Sequence, residues 1–276
     1  MMENFPRILL VGCGKMGGAL LSGVLDHGLE EAVVVTPRAV QLPATRARLT
    51  ACRDISEVPE EFVPSVVVFA TKPQFAPEII PHYAHFVGGD TIFLSIMAGI
   101  TTAGMCEMLG SAAPVVRAMP NTPAAIRQGF ICAFAAKDVT PEQVELCDNL
   151  LAAVGEVAWV EKEGLLDPAT AISGGGPAYV YLLAELLEAA AVEQGLPPAI
   201  ARRMARVTVS GSGALLASSD ADVAQLRTDV TSPGGTTEQA LRILMAEDAW
   251  PRLVSEAVEA ATARSRLLAS GQTDQA

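Results

Sequence analysis

Read for apolar and polar positions, the chain falls into two unlike parts. Up to about residue 160, short runs rich in Val, Ile and Leu recur at 7–11, 32–35, 65–70, 91–96, 115–118, 130–135 and 156–160. Several are apolar without a break, as strands covered on both faces are, so each run is predicted to be a strand. Helical stretches lie between them. One, 16–27, is closed by Gly28. Another, 141–153, opens with Thr140-Pro141-Glu142-Gln143, which supplies a cap, Pro at the first helical position and Gln where a capping box needs it. Such alternation predicts an α/β domain with a mainly parallel, doubly wound sheet. Past Val160 the strand-like runs disappear. Long Ala, Leu, Glu and Arg stretches follow, broken at 174–177, 195–198 and 232–235, and predict an all-helical half. The expected domains are therefore 1–160 and 161–276. The polar tail, 270–276, is expected to fray.

The first predicted strand runs into Val11-Gly12-Cys13-Gly14-Lys15-Met16-Gly17, which opens a helix. GxGxxG alone is weak evidence, but a strand before and a helix after is the context a dinucleotide site requires. The first Gly permits a tight turn, the second lets a pyrophosphate approach, and the third lets helix and strand pack. The first domain is thus expected to be Rossmann-like and to bind NAD(P). Cys13 reads as a small filler. An NAD site usually carries an acid at the end of its second strand, for the ribose hydroxyls. Here that place holds Thr36-Pro37-Arg38, while Glu30 and Glu31 lie at the strand's other end. Arg can pair with a 2′-phosphate and no carboxylate repels it, so NADP(H) is expected to be preferred, with NAD(H) still usable. The plainer alternative makes Arg38 a solvated loop charge. Ala70-Thr71-Lys72-Pro73 and Met119-Pro120-Asn121-Thr122-Pro123 also end predicted strands, where ligands bind in such sheets. The Asn121 amide can orient a nicotinamide or a substrate, although Asn between prolines is also ordinary turn chemistry.

In the helical half, Asp229-Val230-Thr231-Ser232-Pro233-Gly234-Gly235-Thr236-Thr237-Glu238 precedes an apolar-periodic helix marked by Leu241, Leu244 and Met245. The first turn of a helix has unpaired N–H groups and a positive dipole end, so a small anion fits there. Neighbouring hydroxyls add donors and acceptors. One Ser or Thr would suffice as a cap. The fuller loop predicts a site for a small carboxylate.

Composition narrows the classes. A net charge of −12 argues against nucleic acid and anionic membrane surfaces as general partners. No apolar run reaches the ~18–20 residues of a membrane span. Five cysteines (Cys13, Cys52, Cys106, Cys132, Cys147), with no CxxC pair and no secretory pattern at the N-terminus, read as reduced thiols of a cytoplasmic protein. The three histidines, His27, His82 and His85, suggest neither a metal site nor a nucleophile–base arrangement. Lack of an obvious proton shuttle fits hydride transfer to an imine, whose nitrogen can arrive protonated.

With these motifs assembled, the chain resembles pyrroline-5-carboxylate reductases over essentially its whole length. The likeness rests on the glycine loop, on Ala70-Thr71-Lys72-Pro73, Ser95-Ile96-Met97-Ala98-Gly99 and Met119-Pro120-Asn121-Thr122-Pro123, on Ser173-Gly174-Gly175-Gly176-Pro177-Ala178-Tyr179, and most specifically on Val230-Thr231-Ser232-Pro233-Gly234-Gly235-Thr236-Thr237. It implies hydride transfer from NAD(P)H to the C=N carbon of 1-pyrroline-5-carboxylate, giving L-proline. By motif, Gly12, Cys13, Gly14, Lys15, Met16 and Gly17 hold the pyrophosphate, Thr36, Pro37 and Arg38 face the ribose, and Ala70, Thr71, Lys72, Pro73 and Ala98 border the nicotinamide side. The substrate falls to Ser232, Gly235, Thr236, Thr237, Asn121 and Glu163, with Thr237 as the catalytic residue. The Ala- and Leu-rich helical half is expected to form a homodimer, which the resemblance extends to rings of dimers up to a decamer; no metal is expected.

Two departures stand out. Gly175 replaces the Ser usual in the family's Ser-Gly-Ser-Gly-Pro loop. Arg53-Asp54-Ile55-Ser56 occupies the place of a common Asp-Asn, and Ile55 cannot make the ribose contact of that Asn. A β-hydroxyacid reductase of similar plan would need a lysine in the helical half, and none follows Gly164.

Overall fold

The computed structural model describes residues 6–271; the rest of the polar tail, 272–276, lies outside them. Eight strands form one sheet: β1 (Ile8–Val11), β2 (Glu31–Val35), β3 (Arg48–Cys52), β4 (Val66–Phe69), β5 (Ile92–Ser95), β6 (Val115–Met119), β7 (Gly129–Ala135) and β8 (Gly155–Trp159). Their order is β3-β2-β1-β4-β5-β6-β7-β8. Neighbours are parallel throughout, except β6 and β7, which are antiparallel. The direction of winding reverses beside β1, whose neighbours are β2 and β4.

Alternation along the inner strands explains the two-sided burial. Ile8, Leu10, Val34, Val66, Val68 and Leu94 pack on one face with Leu20, Leu21 and Val24 of α1 (Lys15–Asp26). Leu9, Val11, Val33, Val35, Val67, Phe69 and Phe93 pack on the other with Ile80, Tyr83, Met105 and Leu109. Burying each such side chain contributes about 1.5–3 kcal/mol. Two further helices are α2 (Ala76–Ile79) and α3 (Thr102–Leu109). In α4 (Pro141–Ala152) the capping box closes as expected: the Thr140 hydroxyl accepts from Gln143 N and the Gln143 side chain accepts from Thr140 N.

β3 is the strand that the apolar pattern does not announce. Its burial is mostly exposed, with only Cys52 buried, because it is the sheet's edge and has one covering neighbour. Arg48 and Thr50 interrupt what would otherwise be an apolar run.

After β8 the chain is helical: α5 (Leu166–Ala169), a π-helical turn over Thr170–Gly174, then α6 (Gly176–Glu193), α7 (Pro198–Ala217), α8 (Val223–Asp229), α9 (Thr236–Leu244) and α10 (Trp250–Ala269). The chain divides into two compact units. One runs to Gly174 and takes up the chain again from Ala261; the other is Gly175–Ala260. In the first unit, the end of α10 is anchored by Ser265, whose buried hydroxyl donates to Asp167 Oδ1 at 2.7 Å. In the second, α6 packs on α7. Among the described residues no helix is long and apolar enough to cross a membrane, and no group of three or more His, Cys, Asp or Glu is placed to hold a metal ion.

Candidate functional site

In the sheet-containing unit the candidate residues gather along the carboxyl ends of the parallel strands. Gly12 follows β1 with φ +95°, and a Cβ there would lie 2.9 Å from the Ala70 carbonyl oxygen and from Thr71 Cγ2. Its N–H donates to Val35 O at 2.8 Å, and Ala70 N–H donates to Val11 O at 2.8 Å. The loops after β1 and β4 are therefore in direct contact at the point where the winding reverses, which is where ligands bind in open α/β sheets. A Cβ on Gly17 would stand 2.3 Å from Gly12 O, whereas one on Gly14 would meet nothing within 4 Å. Gly14 is the N-cap of α1, no side chain caps that end, and the first turn carries no acid. The loop thus offers open space in front of a free helix N-terminus. These are the features a pyrophosphate requires, and the residues fit a dinucleotide. Lys15 is exposed beside this space and Met16 half-buried. Burial pushes the Cys13 thiol above its ordinary pKa, in keeping with a filler and not a nucleophile.

Thr36 is buried at the end of β2 and its N–H donates to Cys52 O at 2.9 Å, while Pro37 and Arg38 are exposed. Arg53 follows Cys52 directly, so β3 carries a second arginine to the same edge of the sheet. Neither Arg38 nor Arg53 is in an ion pair among the described residues. Asp54 is turned away into its own turn, accepting from the Ser56 N–H and hydroxyl at 2.7 and 2.5 Å. After β4, the Thr71 hydroxyl donates to Met97 Sδ at 3.3 Å, which ties that loop to the one after β5. Lys72 is exposed at the N-cap position of the short turn Pro73–Phe75, with no side-chain cap there. Ala98 is half-buried, and the next residue, Gly99 (φ +75°), lies against Leu268 of α10, 3.1 Å from where its Cβ would be.

Asn121 and Glu163 lie in the same unit, and both side chains are engaged. The Asn121 amide donates to Ser173 O and Oγ at 3.2 and 3.1 Å and accepts from Phe130 N at 2.9 Å. It thereby fastens the loop after β6 to the π-helical turn. Glu163 Oε1 accepts from Thr102 N at 2.8 Å and from Arg117 Nη1 at 3.1 Å, and Oε2 accepts from the Thr102 hydroxyl at 2.9 Å. Sequence reasoning missed Arg117 and Thr102. The available signal was an arginine inside an apolar strand, since a buried guanidinium needs a partner.

The helical unit brings the remaining candidates together by itself. Gly234 has φ +71° and its N–H donates to Glu238 Oε2 at 2.8 Å. Gly235 donates to Ser232 O at 3.0 Å and is the N-cap of α9, with no side-chain cap. The N–H groups of Thr236 and Thr237 therefore head the helix without partners in it. The hydroxyls of Ser232, Thr236 and Thr237 make no hydrogen bond among the described residues. Neither Ser232 nor Thr236 spends its hydroxyl on capping.

Comparison with known proteins bears on this arrangement. A family model described as pyrroline-5-carboxylate reductase dimerisation matches residues 163–268. One described as NADP oxidoreductase, coenzyme F420-dependent, matches residues 7–99. The pyrroline-5-carboxylate reductase of Pseudomonas aeruginosa is 37% identical over 270 residues, 96% of this chain and 97% of that protein. A solved pyrroline-5-carboxylate reductase from Coxiella burnetii has a TM-score of 0.87 at 32% identity, over 96% of this chain and 99% of the other. A Plasmodium falciparum pyrroline carboxylate reductase with NADP bound has a TM-score of 0.81 at 29% identity, over 98% and 100%.

Proposed function

The chain belongs to the pyrroline-5-carboxylate reductase family, and we infer that it reduces the C=N bond of 1-pyrroline-5-carboxylate to give L-proline. The observation that carries this reading is the start of α9, where unpaired N–H groups and two free threonine hydroxyls stand together behind a glycine turn. A carboxylate with an adjacent ring nitrogen matches that set of donors and acceptors. Thr236 and the helix N–H groups take the carboxylate, framed by Ser232 and Gly235. Thr237 orients the ring nitrogen. Glu163 accepts from the secondary ammonium of the product. Asn121, whose amide nitrogen donates to Ser173, supports the Ser173 turn beside the substrate.

In the other unit, Gly12, Cys13, Gly14, Lys15, Met16 and Gly17 would hold the pyrophosphate of NADPH. Thr36, Pro37 and Arg38 would take the adenosine ribose with its 2′-phosphate, and Ala70, Thr71, Lys72, Pro73 and Ala98 the nicotinamide side. Reduced nicotinamide, when bound, supplies a hydride. The imine nitrogen arrives protonated, hydride addition gives the free amine, and water supplies the proton that makes it the ammonium. The chain's own residues therefore need only bind and align, and no histidine is required as a proton shuttle. Free thiols at Cys13, Cys52, Cys106, Cys132 and Cys147 suit a reducing cytoplasm. The apolar helical unit suits a homodimer, and the family resemblance extends this to rings of dimers up to a decamer.

The test is direct. Purified protein incubated with NADPH and 1-pyrroline-5-carboxylate should oxidise the nicotinamide and release L-proline, faster than with NADH. Arg38→Ala should raise the KM for NADPH and leave that for NADH nearly unchanged. Absence of NADPH oxidation would overturn the reading, and equal effects on both cofactors would reduce Arg38 to a loop charge.

A further inference from the structure

Arg117 is the one charged side chain in β6, and it is only 5% exposed. A guanidinium keeps its charge in proteins, so its place in an apolar strand depends on a carboxylate partner. That partner is Glu163, at 3.1 Å. An ionised carboxylate has about four acceptor positions, two on each oxygen. Oε1 fills both of its positions, with Thr102 N–H and Arg117 Nη1, and Oε2 fills one, with the Thr102 hydroxyl. One position on Oε2 is left, on a side chain that keeps 22% exposure while the arginine behind it is sealed.

We propose that Arg117 is a positioning residue for substrate binding: it holds Glu163 so that the remaining acceptor position of Oε2 meets the ring nitrogen of the substrate or product. The proposal rests on the reading of Glu163 given above. A lone carboxylate would repel the substrate's own carboxylate. Paired with Arg117, Glu163 keeps a directional acceptor with little net charge. Thr102 is the first residue of α3, so the same carboxylate also fixes the start of that helix, just beyond the loop carrying Ala98. The competing account makes the ion pair a structural tie alone, and it predicts lost stability with binding intact.

A double-mutant cycle separates the two, with binding of L-proline measured by calorimetry, NADPH binding by fluorescence, and the melting temperature. Glu163→Gln should weaken L-proline binding by about tenfold, the loss of one modest charged hydrogen bond. Arg117→Met should do the same and leave NADPH binding unchanged. The double variant should bind L-proline no worse than Glu163→Gln, because Arg117 acts through Glu163. Arg117→Lys, which keeps the charge but not the planar fork, should lie between wild type and Arg117→Met. Arg117→Met with normal L-proline affinity and a lowered melting temperature would overturn the proposal, as would losses that multiply in the double variant. Normal binding by Glu163→Gln would sink the reading of Glu163, and the proposal with it. Should Arg117→Met fail to fold, Arg117→Lys decides: unchanged L-proline affinity overturns the proposal, and a several-fold loss with unchanged NADPH affinity supports it.

Discussion

The three glycines of the first loop answer to three different constraints. Gly12 has φ +95° and is pressed against Ala70 and Thr71, so any side chain would be both strained and crowded. Gly17 is excluded by packing alone, since its Cβ would meet Gly12 O at 2.3 Å. Gly14 has φ −80°, open to any residue, and nothing of the protein within 4 Å. Only something outside the fold can require Gly14. Gly14→Ala should therefore keep the wild-type melting temperature yet weaken NADPH binding by about tenfold, which corresponds to ~1.4 kcal/mol. Gly17→Ala should lower the melting temperature, because α1 must move off the sheet. Wild-type NADPH affinity in Gly14→Ala would show that no cofactor approaches there.

At the scale of elements, α9 allows a similar separation of fold from function. Gly235 is its N-cap and no side chain caps it, so removing the Thr237 hydroxyl takes nothing from the helix. A hydrogen bond to a neutral partner is worth about 0.5–1.5 kcal/mol, and one to a charged partner about 1.5–3. Thr237→Ala should then lower kcat/KM by roughly 10- to 100-fold, with part of the loss in kcat, because alignment acts in the transition state. NADPH binding and melting temperature should stay put; near-normal turnover with a lowered melting temperature would return Thr237 to a structural role. Elements like α9 are visible in a sequence because their punctuation is local. So were β1, β2, β4 and β5, each an apolar run ending at a candidate loop. β3 was not, because an edge strand with Arg48 and Thr50 facing water has no apolar run to show. Glu163 was legible only through resemblance, and its partners were hidden further: Thr102 and Arg117 lie 61 and 46 positions away in the chain. No window of local pattern spans that distance. Arg53 escaped for the same reason as β3, since only strand pairing brings it beside Thr36.

At the scale of the whole molecule, the helical unit has more apolar surface than one copy can cover. α6 has no buried residue, although its mean composition is apolar, and Val180, Leu182 and Leu186 are exposed along it. On α7, Ile200, Met204 and Val207 recur at helical spacing and, with Arg203 and Thr208, line an open hollow of about 500 Å³. Singly exposed apolar residues are normal, but this many on two packed helices mark an association surface. A second copy of the same chain is the simplest occupant, since an isologous contact buries the same patch twice. The dimerisation model matching residues 163–268 covers both helices. Each side chain removed from water there contributes about 1.5–3 kcal/mol. Wild-type protein should therefore sediment as a dimer or a multiple of it at micromolar concentration. Met204→Glu should shift it toward monomer while far-ultraviolet dichroism stays helical, because the new charge is buried only in the assembly. A wild-type chain that sediments as a monomer with full activity would leave this apolar surface without an explanation and remove the dimer from the account.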